Sequence, residues 1–143
     1  MSADTLFAIA NPLALTGWLA LLASPFLPRF ADRYAASVVP LVLATVYAGL
    51  VLAFWTRAEG GFDSLDNVAL LFETRELLLA GWLHYLAFDL FVGAWIVRQA
   101  RADGIRFPWV VPCLVLTFLF GPVGFLLFSG LRLALRQPAP ATS

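Results

Sequence analysis

Lysine is missing from this chain: all nine basic residues are arginine, and nine acidic residues balance them. Charge of either sign is scarce, at 13% of residues. A chain with no net charge has no electrostatic footprint for nucleic acid, and none is expected as a partner. A lone cysteine, Cys113, excludes an internal disulfide. It lies in an apolar run, where a buried thiol is inert. One histidine and one cysteine, with no CxxC or HExxH spacing, are too few for a zinc or haem site built from this chain alone. No glycine-rich phosphate loop and no nucleophile elbow occur, so the sequence calls for no metal and no other cofactor. The start carries Asp4 and no arginine ahead of the first apolar run. A secretory leader needs a positive start and a small-x-small cleavage site, so the first run reads as a retained helix.

What the chain has in abundance is apolar surface. Of its 143 residues 62% are hydrophobic, and the mean hydropathy is +0.87. Soluble domains are about 45–50% apolar and about 25% charged. The composition therefore predicts an integral membrane protein with one domain over residues 1–136. Residues 137–143, rich in Pro and Ala, read as a disordered tail.

Four apolar runs approach the roughly 20 residues that a membrane-spanning helix needs. They lie at about 6–26, 37–55, 76–97 and 109–131. The fold expected is all-α, an integral membrane four-helix bundle. The first run ends where Pro25 and Pro28 stop it. Between the second and third runs, Leu65, Val68, Ala69 and Phe72 recur at helical spacing among Asp63, Asp66 and Glu73. That pattern predicts a short amphipathic helix lying at the membrane interface. Small residues mark the expected contacts: Ala10, Ala14, Gly17 and Ser24 in helix 1, Thr45, Gly49 and Ala53 in helix 2, Ala80, Ala87 and Ala94 in helix 3. Trp18, Trp55, Trp95 and Trp109 suit interfacial positions. Arg29, Arg33, Arg98, Arg101 and Arg106 fall on one side of such a bundle, Arg57, Arg75, Arg132 and Arg136 on the other. With no arginine before helix 1 and two after it, both termini are expected outside, in a bacterial inner membrane.

Polar chemistry concentrates in Gly81-Trp-Leu-His-Tyr-Leu-Ala-Phe-Asp-Leu-Phe91, inside the third run. A carboxyl near the bilayer centre costs roughly 2.5–3.5 kcal/mol on insertion scales, so Asp89 is expected to face protein or a cavity. His84 and Asp89 are about 140° apart around a helix and about 7.5 Å apart along it, too far to pair directly. Tyr85, one turn before Asp89, is within reach of its carboxyl, and Trp82 shares that face. No arginine lies near the middle of a span to neutralise Asp89, so it reads as the neutral acid, able to give a proton. His84 is the candidate base. The other reading makes both residues interhelical glue, bonded to Asn11, Thr16, Thr45, Tyr47 or a carbonyl freed by Pro12 or Pro122. Such bonds are worth about 0.6 kcal/mol on average. In the fourth run, Gly121-Pro122-Val-Gly124 predicts a kink, a freed carbonyl near Phe118, and room to shape a pocket. Thirteen Phe and five Trp would also suit a long polyene.

These motifs carry a family likeness. Asn11, Trp18 and Pro25, the Val46-Tyr47 region, Ser64-Leu65 with Leu71-Phe72, the Trp82-x-His84-x4-Asp89-Leu-Phe91 core and Gly121-Pro122-Val-Gly124 together resemble the neoxanthin-synthase-like family. That family is named after a plant protein whose loss causes abscisic acid deficiency. The likeness covers about Asn11 to Leu133. It implies a four-helix membrane protein and, in plants, conversion of violaxanthin to neoxanthin. That reaction is a redox-neutral isomerisation that needs no cofactor on paper. An acid protonates the epoxide oxygen and a base takes a proton from the neighbouring polyene carbon. The likeness assigns those roles to His84 and Asp89. It leaves Asn11, Trp82, Tyr85, Gly121, Pro122 and Gly124 to ligand contact or support. The partners it implies are a membrane lipid or carotenoid. A second reading, from a different class, is a non-catalytic small subunit or assembly factor of a photosynthetic or respiratory membrane complex, or a homo-oligomer.

Overall fold

Ser2 begins the first helix earlier than the apolar run suggests. Its side chain accepts from the Thr5 N–H, and α1 runs Ala3–Leu22. This computed structural model describes residues 1–135, so the expected tail at 137–143 lies outside it. A turn at residues 23–26 carries Pro25, and Pro28 then opens α2, Pro28–Arg33. At the first position of a helix the missing proline N–H would have no partner in any case.

The second apolar run proves longer than expected. From Pro28 to Arg57 the chain is one continuous 30-residue helical stretch. It comprises α2, a π-turn at Tyr34–Val38, α3 at Val39–Phe54, and a final tight turn at Trp55–Arg57. The π-turn explains how Pro40 is tolerated. The Val39 N–H reaches back to the Tyr34 carbonyl, so the hydrogen-bond register widens where Pro40 would have interrupted it.

The interfacial helix forms as expected, as α4 at Leu65–Glu73, with Ser64 capping the Asn67 N–H. Its polar side includes the Asn67 amide, which donates to Asp63 at 2.8 Å. Next comes α5, Arg75–Ala102, about 42 Å long at 1.5 Å per residue. It outruns the expected 76–97 because its last turn is polar, carrying Arg98 and Arg101 beyond the apolar segment. Among the described residues, three helical stretches are thus long and apolar enough to cross a membrane: Ala3–Leu22, Pro28–Arg57 and Arg75–Ala102.

The fourth run departs from expectation. It is two 14-residue helices, α6 at Phe107–Phe120 and α7 at Pro122–Leu135. Each is about 21 Å long, short of a hydrocarbon core of roughly 30 Å. Gly121 joins them with φ +34, a backbone conformation that only glycine adopts easily. The result is a hairpin, not a kink. Gly124 returns against Thr117 and the Cys113 carbonyl, so closely that a Cβ there would collide with both. Arg132 then pairs with Asp103 at 2.5 Å, back beside the start of α6.

This reversal corrects two expectations. The fold is all-α, but its fourth element is a helical hairpin in place of a fourth spanning helix. The two ends of the described chain also lie at opposite ends of α5, not on one side. Asp4 pairs with Arg75 at the beginning of α5, whereas Arg132 pairs with Asp103 just past its end.

α5 is the central element, packing against α1, α3, α4 and α6. Its small-residue ridge Ala80, Ala87 and Ala94 is buried as expected, as are Ala10, Ala14, Gly17 and Ser24 beside α1. The α1–α5 crossing interlocks: Leu90 fills the space above Gly17, and Trp18 fills the space above Gly93. Trp18 is therefore a core residue, 6% exposed, and not an interfacial one. The Thr45, Gly49, Ala53 ridge is also misplaced by the sequence reading. It faces outward, with nothing within 4 Å of a Cβ at Gly49. α3 meets the core through Val39, Leu43 and Leu50 instead. Between helices in lipid, such close packing and a few polar bonds replace the hydrophobic effect as the source of cohesion.

Candidate functional site

The middle of α5 presents two faces. Trp82 and Tyr85 stand on one, and their rings stack with centroids 5.2 Å apart. Asn11 holds Trp82 from the opposite helix. Its side-chain carbonyl accepts from the indole N–H at 2.9 Å, while its amide donates to the Phe7 carbonyl, also at 2.9 Å. Phe7 in turn lies 5.9 Å from the Trp82 ring. Phe7, Trp82 and Tyr85 line a cavity of about 610 Å³ between α1, α4 and the first half of α5, with Asn11 behind Trp82 and outside its lining. Its walls are mainly apolar, including Phe72, Leu78 and Leu79, and the Asp4–Arg75 pair stands at its rim. The volume falls within the range of roughly 300–1,000 Å³ usual for small-molecule sites.

Beyond Tyr85 lies the hairpin tip. The Tyr85 hydroxyl donates to the carbonyls of Phe118 and Leu119, at 3.1 and 3.0 Å. These are terminal carbonyls of α6 that no helical N–H reaches, and in a membrane each would otherwise cost several kcal/mol. The carbonyl predicted to be freed near Phe118 therefore has its partner, and that partner is Tyr85. Asp89 sits one turn further on, against Gly121: a Cβ added at Gly121 would lie 2.5 Å from Asp89 Oδ1. Asp89 Oδ2 is buried with no hydrogen-bond partner. Tyr85 and Asp89 lie within reach of each other, as their spacing on the helix predicts, and the Tyr85 hydroxyl also ties the hairpin carbonyls to this corner.

His84 faces the other way. Its ring stacks on Phe88 at 4.7 Å and meets Tyr47 edge-on at 5.8 Å. With Tyr47, Val51, Trp55, Phe62 and others it lines a second cavity of about 300 Å³ between α3, α4 and α5. The roughly 140° separation read from the sequence is thus realised in space. The structure brings Asn11, Trp82 and Tyr85 together, and it brings Asp89 to Gly121 behind them. Pro122 and Gly124 shape the hairpin that supports this corner, with Pro122 as the first residue of α7 and Gly124 as its contact with α6. It does not place His84 and Asp89 on one cavity.

In the sequence Phe72 stands out only as part of the apolar stripe of α4 and of the Leu71-Phe72 pair in the family likeness, with no role at the site. In the structure it lines both cavities. Its contact is with Gly81, 71 being the last buried position of α4, and nothing in the local pattern distinguishes it from Leu71 or Ala69. Arg75 and Asp4 likewise look like unrelated interfacial charges until the fold pairs them.

The fold and this site define an all-helical chain with membrane-length apolar helices and a carboxyl on the longest of them set against the tip of a helical hairpin. Residues 5–128 match the family described as ABA DEFICIENT 4-like, and the chain belongs to that family. No curated protein and no solved structure matches it.

Proposed function

We propose that the protein holds a carotenoid- or terpenoid-like lipid within the membrane and isomerises it without a cofactor. The observation that carries this reading is the apolar cavity floored by Trp82 and Tyr85, with the unpartnered Asp89 oxygen behind Tyr85. Buried polar atoms are ordinarily bonded, so an unpartnered one in a membrane helix marks a place where function sets the residue. Trp82, stacked on Tyr85 and tied to Asn11, offers a fixed aromatic wall for a polyene. In the chemistry, Asp89 gives a proton to an epoxide-like oxygen as its C–O bond opens, and His84 takes one from the adjacent polyene carbon. Composition and oxidation state are unchanged overall.

Gentle detergent purification from the native host, with an absorption spectrum and mass spectrometry of the extracted lipids, tests the binding. A stoichiometric polyene that is lost from Trp82→Ala supports it, and a colourless protein overturns it. Folded Asp89→Asn and His84→Ala variants that still convert an epoxy-carotenoid would remove both residues from the chemistry.

The alternative reading, an accessory subunit or homo-oligomer, draws on the outward Thr45, Gly49, Ala53 ridge of α3. Small residues on a lipid-facing helix allow a second helix to approach closely. Co-purification with larger subunits would favour it.

We also propose an orientation different from the one the first helix suggests. Among the described residues, Arg29, Arg33, Arg98, Arg101, Arg106 and Arg132 gather at one end of the molecule, leaving Arg57 and Arg75 at the other. We assign the arginine-rich end to the cytoplasm, with the N-terminus outside and the chain leaving α7 inside.

A further inference from the structure

The two cavities share two residues, Phe72 and Gly81, and lie on either side of them. Gly81 leaves a gap in the surface of α5, and the Phe72 ring rests on it. A Cβ at Gly81 would be 3.1 Å from Phe72 Cε1 and 3.3 Å from Cζ. One ring therefore separates the Trp82–Tyr85 cavity from the His84–Tyr47 cavity. We propose that Phe72 is a movable partition in a single crevice that crosses α5 at Gly81, and that a long, rod-shaped unsaturated hydrocarbon occupies both halves when the ring is displaced. This rests on the reading of the site as one for a terpenoid-like lipid, and it adds which residue sets the length of chain admitted.

Three features support it. Phe72 is 39% exposed while its neighbour Leu71 is 3% exposed, so Leu71 anchors α4 and Phe72 has an open side into which it can turn. Rotamer changes of exposed side chains are fast and need no movement of the helix. Aromatic faces continue on both sides of the partition: Phe7 and Trp82 on one, Tyr47, Trp55 and Phe62 on the other. They form a run of flat surfaces suited to a conjugated chain. Finally, on a helix Gly81 lies about 100° from Trp82 in one direction and about 60° from His84 in the other, so it is between the two groups in angle and within about one turn of both in height. A chain laid across it would touch the Trp82–Tyr85 wall and His84 at once. The Trp82–Tyr85 wall and the His84 face of α5, which open into different spaces while Phe72 is down, would then address one molecule.

The test uses the full chain in lipid nanodiscs with two polyenes, all-trans-retinol as the short one and β-carotene as the long one. Binding is read from the induced circular dichroism of each polyene band. Phe72→Ala should strengthen β-carotene binding about tenfold and leave retinol within about twofold. Gly81→Leu, which fills the crossing point whatever Phe72 does, should abolish β-carotene binding and retain retinol. Gly81→Ala should weaken β-carotene binding in the same direction by less, and serves if the leucine variant fails to fold. β-Carotene binding that is unchanged in folded Phe72→Ala and Gly81→Ala overturns the partition while leaving the lipid-binding reading intact. Failure of both polyenes to bind the wild-type chain overturns the two together.

Discussion

At the scale of single residues, the hairpin tip depends on Gly121 more than on any charged group near it. Its φ of +34 disfavours every other residue, and the Asp89 carboxyl occupies the space a side chain would need. Gly121→Ala should therefore cost about 1–3 kcal/mol, the range for a residue forced into a sparsely populated backbone region. Gly130→Ala is the control. It lies inside α7 with nothing within 4 Å of its added Cβ, so it should be neutral or slightly stabilising. Denaturant unfolding in detergent micelles distinguishes them, and equal stability of the two variants would show that the tip is not under this constraint. Asp89 and Tyr85 were legible in the sequence as unusual, because polar groups are expensive at membrane depth. Their partners were not legible. Phe118, Leu119 and Gly121 reach α5 only because the chain reverses, and Tyr85 donates to backbone atoms that carry no sequence signature.

At the scale of elements, α4 is lightly held. Leu71 is its only buried residue, and its start relies on the Ser64 hydroxyl. Ser64→Ala should lower the local stability of α4 by about 1 kcal/mol, the usual value for a lost N-cap. Amide hydrogen exchange over residues 65–73 should then quicken about fivefold while α5 exchanges as before. Uniform acceleration along the whole chain would instead make the cap a global determinant. The position of this helix was readable from its apolar period and its Ser64 cap. The long second stretch was harder to read, because two prolines look like interruptions. Pro28 proves to open a helix, and Pro40 is absorbed by a π-turn. The fourth run misled for the opposite reason: its length and apolarity suit a span, while Gly121-Pro122 is compatible with a kink or a full reversal. Packing decided between them, since Gly124 and Thr117 can approach closely only in the hairpin.

At the scale of the whole molecule, the hairpin places the described ends at opposite ends of α5 and gathers six of the eight described arginines at one end. A green fluorescent protein fused after residue 143 should fluoresce, and an alkaline phosphatase fused there should be inactive, as both report a cytoplasmic end. In a Cys113→Ser background, Phe62→Cys, which is well exposed in the loop before α4, should react in intact cells with a membrane-impermeant maleimide. Finding Phe62 and the C-terminal fusion on the same side would mean that the fourth run crosses the membrane after all.

The sequence by itself determined that the chain is helical and apolar, that α5 carries its polar chemistry, and that small residues bring α1 and α5 together. These follow from composition and from local periodicity, which a single segment expresses without reference to the others. Only the tertiary structure decided that the fourth run turns back, that Asp89 meets the turn, and that His84 opens into a different space from Tyr85. Those are relations between segments distant in the chain, set by which surfaces fit closely enough to exclude lipid and leave few backbone groups unpaired.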